Sequence, residues 1–297
     1  MPTLIIPLGL AFLMLSVGLE TRLADFRALA RARVGVVVGL LSQVVGLPLL
    51  AMVIARLFDL PVAHAVGLVL VAAAPGGVTA NFVTLMAAGD VALCVTITVL
   101  GSLAAPLTVP LVVGFAFDLF AGDAVTLSLP LGPTIGAVFV TTVVPLSVGI
   151  ALAERRPEMV AVLRPSLRRA SFVVFVMIVV TAVAAQWSEL VASWRVVGVA
   201  DVVLNLAAMG ASAALGRVVG VSVPGAVALS ISAGLRNIAL ALTVAVTILG
   251  RPDIAVAATV HVFVMNATAL ALVAARRQRS GGGGAEGRDG SGGSAAG

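Results

Sequence analysis

The sequence predicts an all-α polytopic membrane protein with nine transmembrane helices, and three observations carry that reading. Of its 297 residues 61% are hydrophobic and 10% charged, against roughly 45–50% and 25% in soluble domains. Mean hydropathy is +1.19, more apolar surface than a globule of this size can hide from water. The apolar runs also reach the roughly 20 residues that cross a bilayer. Lipid is the solvent.

The first run, near 3–20, has no basic segment before it and no small-residue cleavage site after it. It reads as a span and not as a removed signal peptide. The second, near 34–57, opens with GVVVG (Gly35–Gly39), a small-residue face for close helix packing. The third, near 63–88, is interrupted; the fourth and fifth lie near 90–118 and 130–153. The sixth, near 170–187, and the seventh, near 196–216, are flanked by Trp187 and Trp194, which suits interfacial anchoring. The seventh also carries a small-residue face, GASAALG (Gly210–Gly216). The eighth, near 224–249, is interrupted, and the ninth lies near 254–275. A transmembrane domain over 1–279 is expected, followed by a Gly/Ser-rich tail, 280–297, without a fold of its own.

Every basic residue is an arginine, and their distribution sets an orientation. Arg22, Arg27, Arg31 and Arg33 follow the first run; Arg155, Arg156, Arg164, Arg168 and Arg169 follow the fifth. Arg217 follows the seventh, and Arg276, Arg277, Arg279 and Arg288 follow the ninth. The alternate loops hold only Arg56, Arg195 and Arg251. Basic residues collect in cytoplasmic loops, so the N-terminus is expected outside and the C-terminus in the cytoplasm, in a cytoplasmic (inner) membrane. The net charge of +5 comes with 4% aromatics and no Tyr. No basic patch is interleaved with aromatics, so nucleic acid is excluded as a partner. Cys94 is the single cysteine and the two histidines, His64 and His261, are far apart. Neither a disulfide nor a Cys/His metal site can form within the chain.

Two runs break near their middles. The third reads GLVLVAAAPGGVTANFVTLMAAG, with Pro75, Gly76 and Gly77 halfway. The eighth reads AVALSISAGLRNIALALTVAVTILG, with Ser230, Ser232, Gly234, Arg236 and Asn237 halfway. Proline removes a helix hydrogen bond, and glycine relaxes the backbone. Non-helical backbone at membrane depth survives only when buried in protein or lining a watery cavity. Interrupted spans in corresponding positions of two halves point to a transporter binding site.

These residues resemble the bile acid:sodium symporter family, from roughly Pro7 to Ala274. The resemblance is carried by VGLETRLADFRALAR (Val17–Arg31), GLLSQVVGLPLL (Gly39–Leu50), APGGVTANFVTLMAAGDVALCVTITVL (Ala74–Leu100) and SAGLRNIALALTVA (Ser232–Ala245). It implies a nine-span member with inverted repeats. Spans one, five and six would form a panel domain; spans two to four and seven to nine would form a core in which the broken helices cross. It also implies alternating access and two sodium ions behind the crossover.

The family motif E-V-G-M-Q-N aligns with Ser232-Ala233-Gly234-Leu235-Arg236-Asn237. Its Glu has become Ser232 and its Gln has become Arg236; Ala80 and Cys94 replace serines, while Gln43, Asn81, Thr98 and Asn237 are kept. The resemblance thus marks Pro75, Gly76, Gly77, Thr79, Asn81, Thr98, Gln43, Ser232, Gly234, Arg236 and Asn237 as the substrate or ion site. Its sodium positions are Gln43, Asn81, Cys94, Thr98 and Ser232. A fixed guanidinium repels a cation and cannot lose its proton, so weak or absent sodium coupling is expected. No other cofactor is implied.

Arg236 invites two readings, which are compatible: a built-in replacement for the ion that holds broken-helix carbonyls and draws an anion, or a structural ion pair with Asp201, the carboxylate inside the seventh span. His261, Asn205, Asn266 and Thr268 read as interhelical hydrogen-bonding groups. The expected function is secondary transport of a small organic anion or bile-acid-like amphipathic acid. The alternative is a membrane receptor or scaffold that kept the fold without transporting. No catalytic cluster is spaced for an intramembrane enzyme.

Overall fold

A computed structural model of the chain describes residues 2–21, 33–122 and 130–282. All regular structure among them is helical: α1 (Pro2–Glu20), α2 (Arg33–Leu57), α3 (Val62–Ala73), α4 (Val78–Met86), α5 (Val91–Ala121), α6 (Leu131–Arg155), α7 (Pro157–Ala185), α8 (Trp187–Val218), α9 (Val223–Gly234), α10 (Ile238–Ile248) and α11 (Ala255–Gly282). Six of these, α2, α5, α6, α7, α8 and α11, are long and apolar enough to cross a membrane. The other three expected spans fall on α1 and on the two interrupted pairs, whose halves are each too short to cross alone.

Proline chemistry explains much of the local shape. Helix α2 opens into a π-helical turn over Ser42–Gly46, just ahead of Pro48, and α6 does the same over Phe139–Val143 ahead of Pro145. A proline ring crowds the carbonyl four residues back, which falls inside each widened turn. Helix α3 ends because Ala74 precedes Pro75 and is pushed to ψ 142°. Asp90 starts α5 by accepting from the Leu93 amide at 3.0 Å, and Asn237 starts α10 by accepting from the Leu240 amide at 3.1 Å.

Helix α1 packs on α6 and α7, while α8 packs on α9 and α11, and α3 on α2, α5 and α11. The α1–α6 contact is glycine on glycine. A Cβ at Gly18 would lie 2.2 Å from the Leu146 carbonyl, and one at Gly149 would lie 2.4 Å from the Leu15 carbonyl. Outward faces carry exposed apolar side chains such as Leu8, Leu57 and Val162.

Three boundaries differ from expectation. Helix α7 begins at Pro157, not near 170, and α8 at Trp187, not near 196. Apolar runs mark the part of a helix that meets lipid, whereas the helices themselves continue into the wet, arginine-bearing segments. Helix α11 runs on through Ser280 to Gly282. The remainder of the expected tail, with Arg288, lies outside the described residues, as do Arg22, Arg27 and Arg31.

Candidate functional site

The two interruptions meet. The Gly77 amide donates to the Leu235 carbonyl and the Asn237 amide to the Pro75 carbonyl, both at 2.8 Å, which pairs Gly76 with Arg236 as an antiparallel bridge. Each break thereby satisfies backbone groups that the other leaves open. No side chain fits at residue 76: a Cβ there would lie 2.8 Å from Thr98 Oγ1 and 3.2 Å from Ser232 Oγ.

The helix ends on either side of the bridge present unpaired carbonyls, and side chains cover them. Arg236, 2% exposed, donates from Nη2 to the Ala72 carbonyl at 2.7 Å and from Nη1 to the Ser232 carbonyl at 3.2 Å. One guanidinium therefore caps the C-terminal ends of both α3 and α9, where the backbone dipoles place partial negative charge. Asn205 Nδ2 donates to the Gly234 carbonyl at 2.8 Å and is held by the Thr268 hydroxyl, 2.9 Å from Asn205 Oδ1.

Asp201 does not pair with Arg236, as one of the two readings required. It pairs with His261, Oδ1 lying 2.8 Å from Nδ1, and both side chains are buried. The reason is geometric: Asp201 and His261 face each other across the α8–α11 contact, while Arg236 is turned to the carbonyls of α3 and α9.

The sequence-marked residues divide into two groups. Gln43, Thr98, Ser232 and Gly76 gather behind the bridge. Gln43, in the widened turn of α2, donates from Nε2 to Ser232 Oγ at 2.6 Å. Its Oε1 is buried without a hydrogen-bond partner among the described residues, and the buried Thr84 and Thr98 hydroxyls lie against the thiol of Cys94, which is fully buried. Gly77, Thr79, Asn81, Arg236 and Asn237 instead line a cavity of about 910 Å³ between the bridge, α1 and α7. Asn81 therefore lines the cavity, with Oδ1 buried and unpartnered.

The cavity wall also contains residues that sequence reading assigned only to a loop. Arg164, Arg168 and Arg169 of α7 line it with Glu20 of α1, and Arg168 Nε lies 3.3 Å from Glu20 Oε1. Their spacing was the available signal, since residues four apart share a helix face. Leu13, Phe82, Phe172, Phe175 and Met265 supply apolar wall.

Two interrupted helices meeting beside a cavity, in a bundle of helices long and apolar enough to cross a membrane, define a polytopic membrane protein with a site at its broken helices. The chain belongs to the sodium bile acid symporter family, whose model matches residues 7–194. That is a family of transporters and not of enzymes. The matched stretch ends ahead of the second interruption, where Ser232 and Arg236 stand. Among relatives, the uncharacterized sodium-dependent transporter YocS of Bacillus subtilis (strain 168) is 36% identical over 108 residues, covering 36% of this chain and 34% of that protein. The probable sodium/metabolite cotransporter BASS1, chloroplastic, of Oryza sativa subsp. japonica is 28% identical over 252 residues, covering 84% of this chain and 60% of that protein. The human P3 protein is 29% identical over 158 residues, 53% of this chain and 33% of that protein. The matches thus span less than two thirds of these relatives' own lengths.

Proposed function

We propose that the chain is a secondary transporter for a small organic anion, of the amphipathic acid type, working in the cytoplasmic membrane by alternating access with little or no sodium coupling. The observation that carries this is Arg236: a buried guanidinium in the cavity wall that also bridges the ends of both broken helices. Nine spans, with α1, α6 and α7 rocking as a panel against the rest, is the arrangement this reading adopts. The arginine bias supports a cytoplasmic position for the mouth with Arg164, Arg168 and Arg169. Three mouth arginines and a deeper one, set among apolar side chains, suit a carboxylate on a hydrophobic body.

Sodium fits poorly. Behind the bridge the available oxygens are neutral: Gln43 Oε1 is buried without a partner among the described residues, the Thr84 and Thr98 hydroxyls lie against the Cys94 thiol, and Ser232 Oγ is taken by Gln43. A hard cation favours oxygen, but Asp90, the carboxylate that acts on Cys94, is engaged by the Leu93 amide, and the Ser232 carbonyl already accepts from a guanidinium.

The test is uptake into proteoliposomes of radiolabelled cholate and short carboxylates, with sodium or choline outside. Saturable uptake that is equal in both salts is expected. Steep sodium dependence overturns the uncoupled reading, and absence of uptake for every acid favours the receptor or scaffold alternative.

A further inference from the structure

The Asp201–His261 pair lies directly behind the second interruption and has no part in the anion reading. Its hydrogen bonds count protons. His261 Nδ1 lies 2.8 Å from Asp201 Oδ1, and His261 Nε2 lies 3.2 Å from the Gly234 carbonyl, the last of α9. A carbonyl oxygen can only accept, so Nε2 must carry a proton to bond it. The Nδ1–Oδ1 contact needs a second proton, held by either atom. Neutral imidazole with ionised carboxylate supplies just one of the two. Both contacts are hydrogen bonds at once only in a pair holding an extra proton, as imidazolium–carboxylate or imidazole–carboxylic acid. Both forms are net neutral. Asp201 is 0% exposed, and its Oδ2 has no hydrogen-bond partner among the described residues.

Loss of the proton turns one of these contacts into lone pair against lone pair. If the remaining proton stays on Nδ1, Nε2 faces the Gly234 carbonyl with nothing between them, and an end of α9 loses a donor. Gly234 is two residues from Arg236, so the pair's charge and the cavity's cation act on one stretch of backbone. A deprotonated, negative pair favours Arg236 as its counter-charge; an anion in the cavity competes for that role and favours reprotonation. Proton and anion then bind with mutual support, and the coupling is reciprocal. Met265, one helical turn beyond His261 on the same face of α11, already lines the cavity.

Few other charges intrude. The pair, Arg236 and His64 are the ionisable side chains of Asp, Arg or His type that are buried among the described residues. His64, on α3, is 3.9 Å from Glu189 of α8. Arg195 and Arg217 of α8, Arg33 and Arg56 of α2, and Glu158, Arg168 and Arg169 of α7 are exposed; Arg164 and Arg276 are partly so. The Arg251–Asp253 pair precedes α11 and is closed on itself at 2.6 Å. Helices α4, α9 and α10 carry no charged residue.

We infer that Asp201 and His261 form a proton-binding site whose occupancy is coupled to anion binding at the crossover, making the transported anion's co-substrate a proton. This rests on the transport reading, so the test has one arm that needs no substrate. Protein labelled with 15N-histidine, in lipid nanodiscs, is titrated by NMR from about pH 5 to pH 9. The chain has two histidines, and His64→Gln leaves the His261 ring alone in the spectrum. Expected is a ring protonated on Nε2 at low pH that changes protonation on titration, with the midpoint displaced in Asp201→Asn. In the second arm, an inwardly directed proton gradient raises initial cholate uptake about fivefold or more, the lower end of common coupling strengths. Asp201→Asn and His261→Gln remove that stimulation. A ring that keeps one protonation state across the range overturns the inference, and so does cholate uptake indifferent to the gradient. A normal titration with no uptake of cholate or short carboxylates leaves the proton site standing and overturns the transport reading instead.

Discussion

Exchanging two residues at the crossover should give this chain a sodium response. Arg236 Nη1 is 3.2 Å from the Ser232 carbonyl, so an ion bound to that carbonyl sits about 4 Å from the guanidinium. At an effective dielectric near 20 the repulsion is about 4 kcal/mol, roughly a thousandfold in affinity. Arg236→Gln removes that charge, and Ser232→Glu adds a carboxylate where Gln43 can still donate to it. The assay is thermal unfolding of purified protein in sodium chloride against choline chloride. For a site of about 1 mM affinity, about 100 mM sodium stabilises the folded state by about 2.7 kcal/mol; at a thousandfold weaker affinity the gain is under about 0.1 kcal/mol. The expected order is a clear sodium shift in S232E/R236Q, a smaller one in R236Q and none in the parent. Ser232 is fully buried, so Glu also overfills its site, at about 1–3 kcal/mol; that loss is the same in both salts. A folded double variant whose midpoint is identical in sodium and choline refutes the electrostatic argument.

Three other outcomes follow from the same structure. Gly18→Ala sets a Cβ 2.2 Å from the Leu146 carbonyl, so α1 must move off α6, and the thermal midpoint should fall by the equivalent of about 1–3 kcal/mol. Arg168→Glu breaks the contact with Glu20 and reverses a charge at the cavity mouth; cholate uptake should show KM raised more than kcat lowered, with the effect shrinking at high salt. Asp253→Asn tests a pH effect: the Arg251 hydrogen bond holds the Asp253 carboxyl below its usual range, so the pair stabilises above the unfolded carboxylate value, and that contribution is lost as pH falls through the depressed one. The pair is a third or more exposed, so unfolding measured from neutral to acid pH should show a difference below about 1 kcal/mol that fades in salt.

How far the sequence could be read depends on what each residue's role requires. The interruptions were legible because Pro75 and the glycines act on their own backbone, and Arg236 was legible because a charge amid apolar residues requires a partner or a function. The partner of Asp201 was not. Span positions set depth, but the rotation of α8 against α11 decides whether Asp201 meets His261 or Arg236, and apolar helices nearly uniform around their circumference carry little record of rotation. The α7 arginines were hidden for a different reason. A loop and the wet end of a helix look alike in hydropathy, so Arg164, Arg168 and Arg169 registered as orientation markers before their helix placed them on the cavity.

The bridge between Gly76 and Arg236 has a consequence for how the chain can be cut. Pro75, Gly77 and Ala72 come from one half of the sequence, and Asn237, Leu235 and Arg236 from the other. In lipid each orphaned backbone group costs several kcal/mol, so neither half can close its own break. Two polypeptides divided between α5 and α6 should therefore be complements, each supplying backbone partners that the other's break lacks.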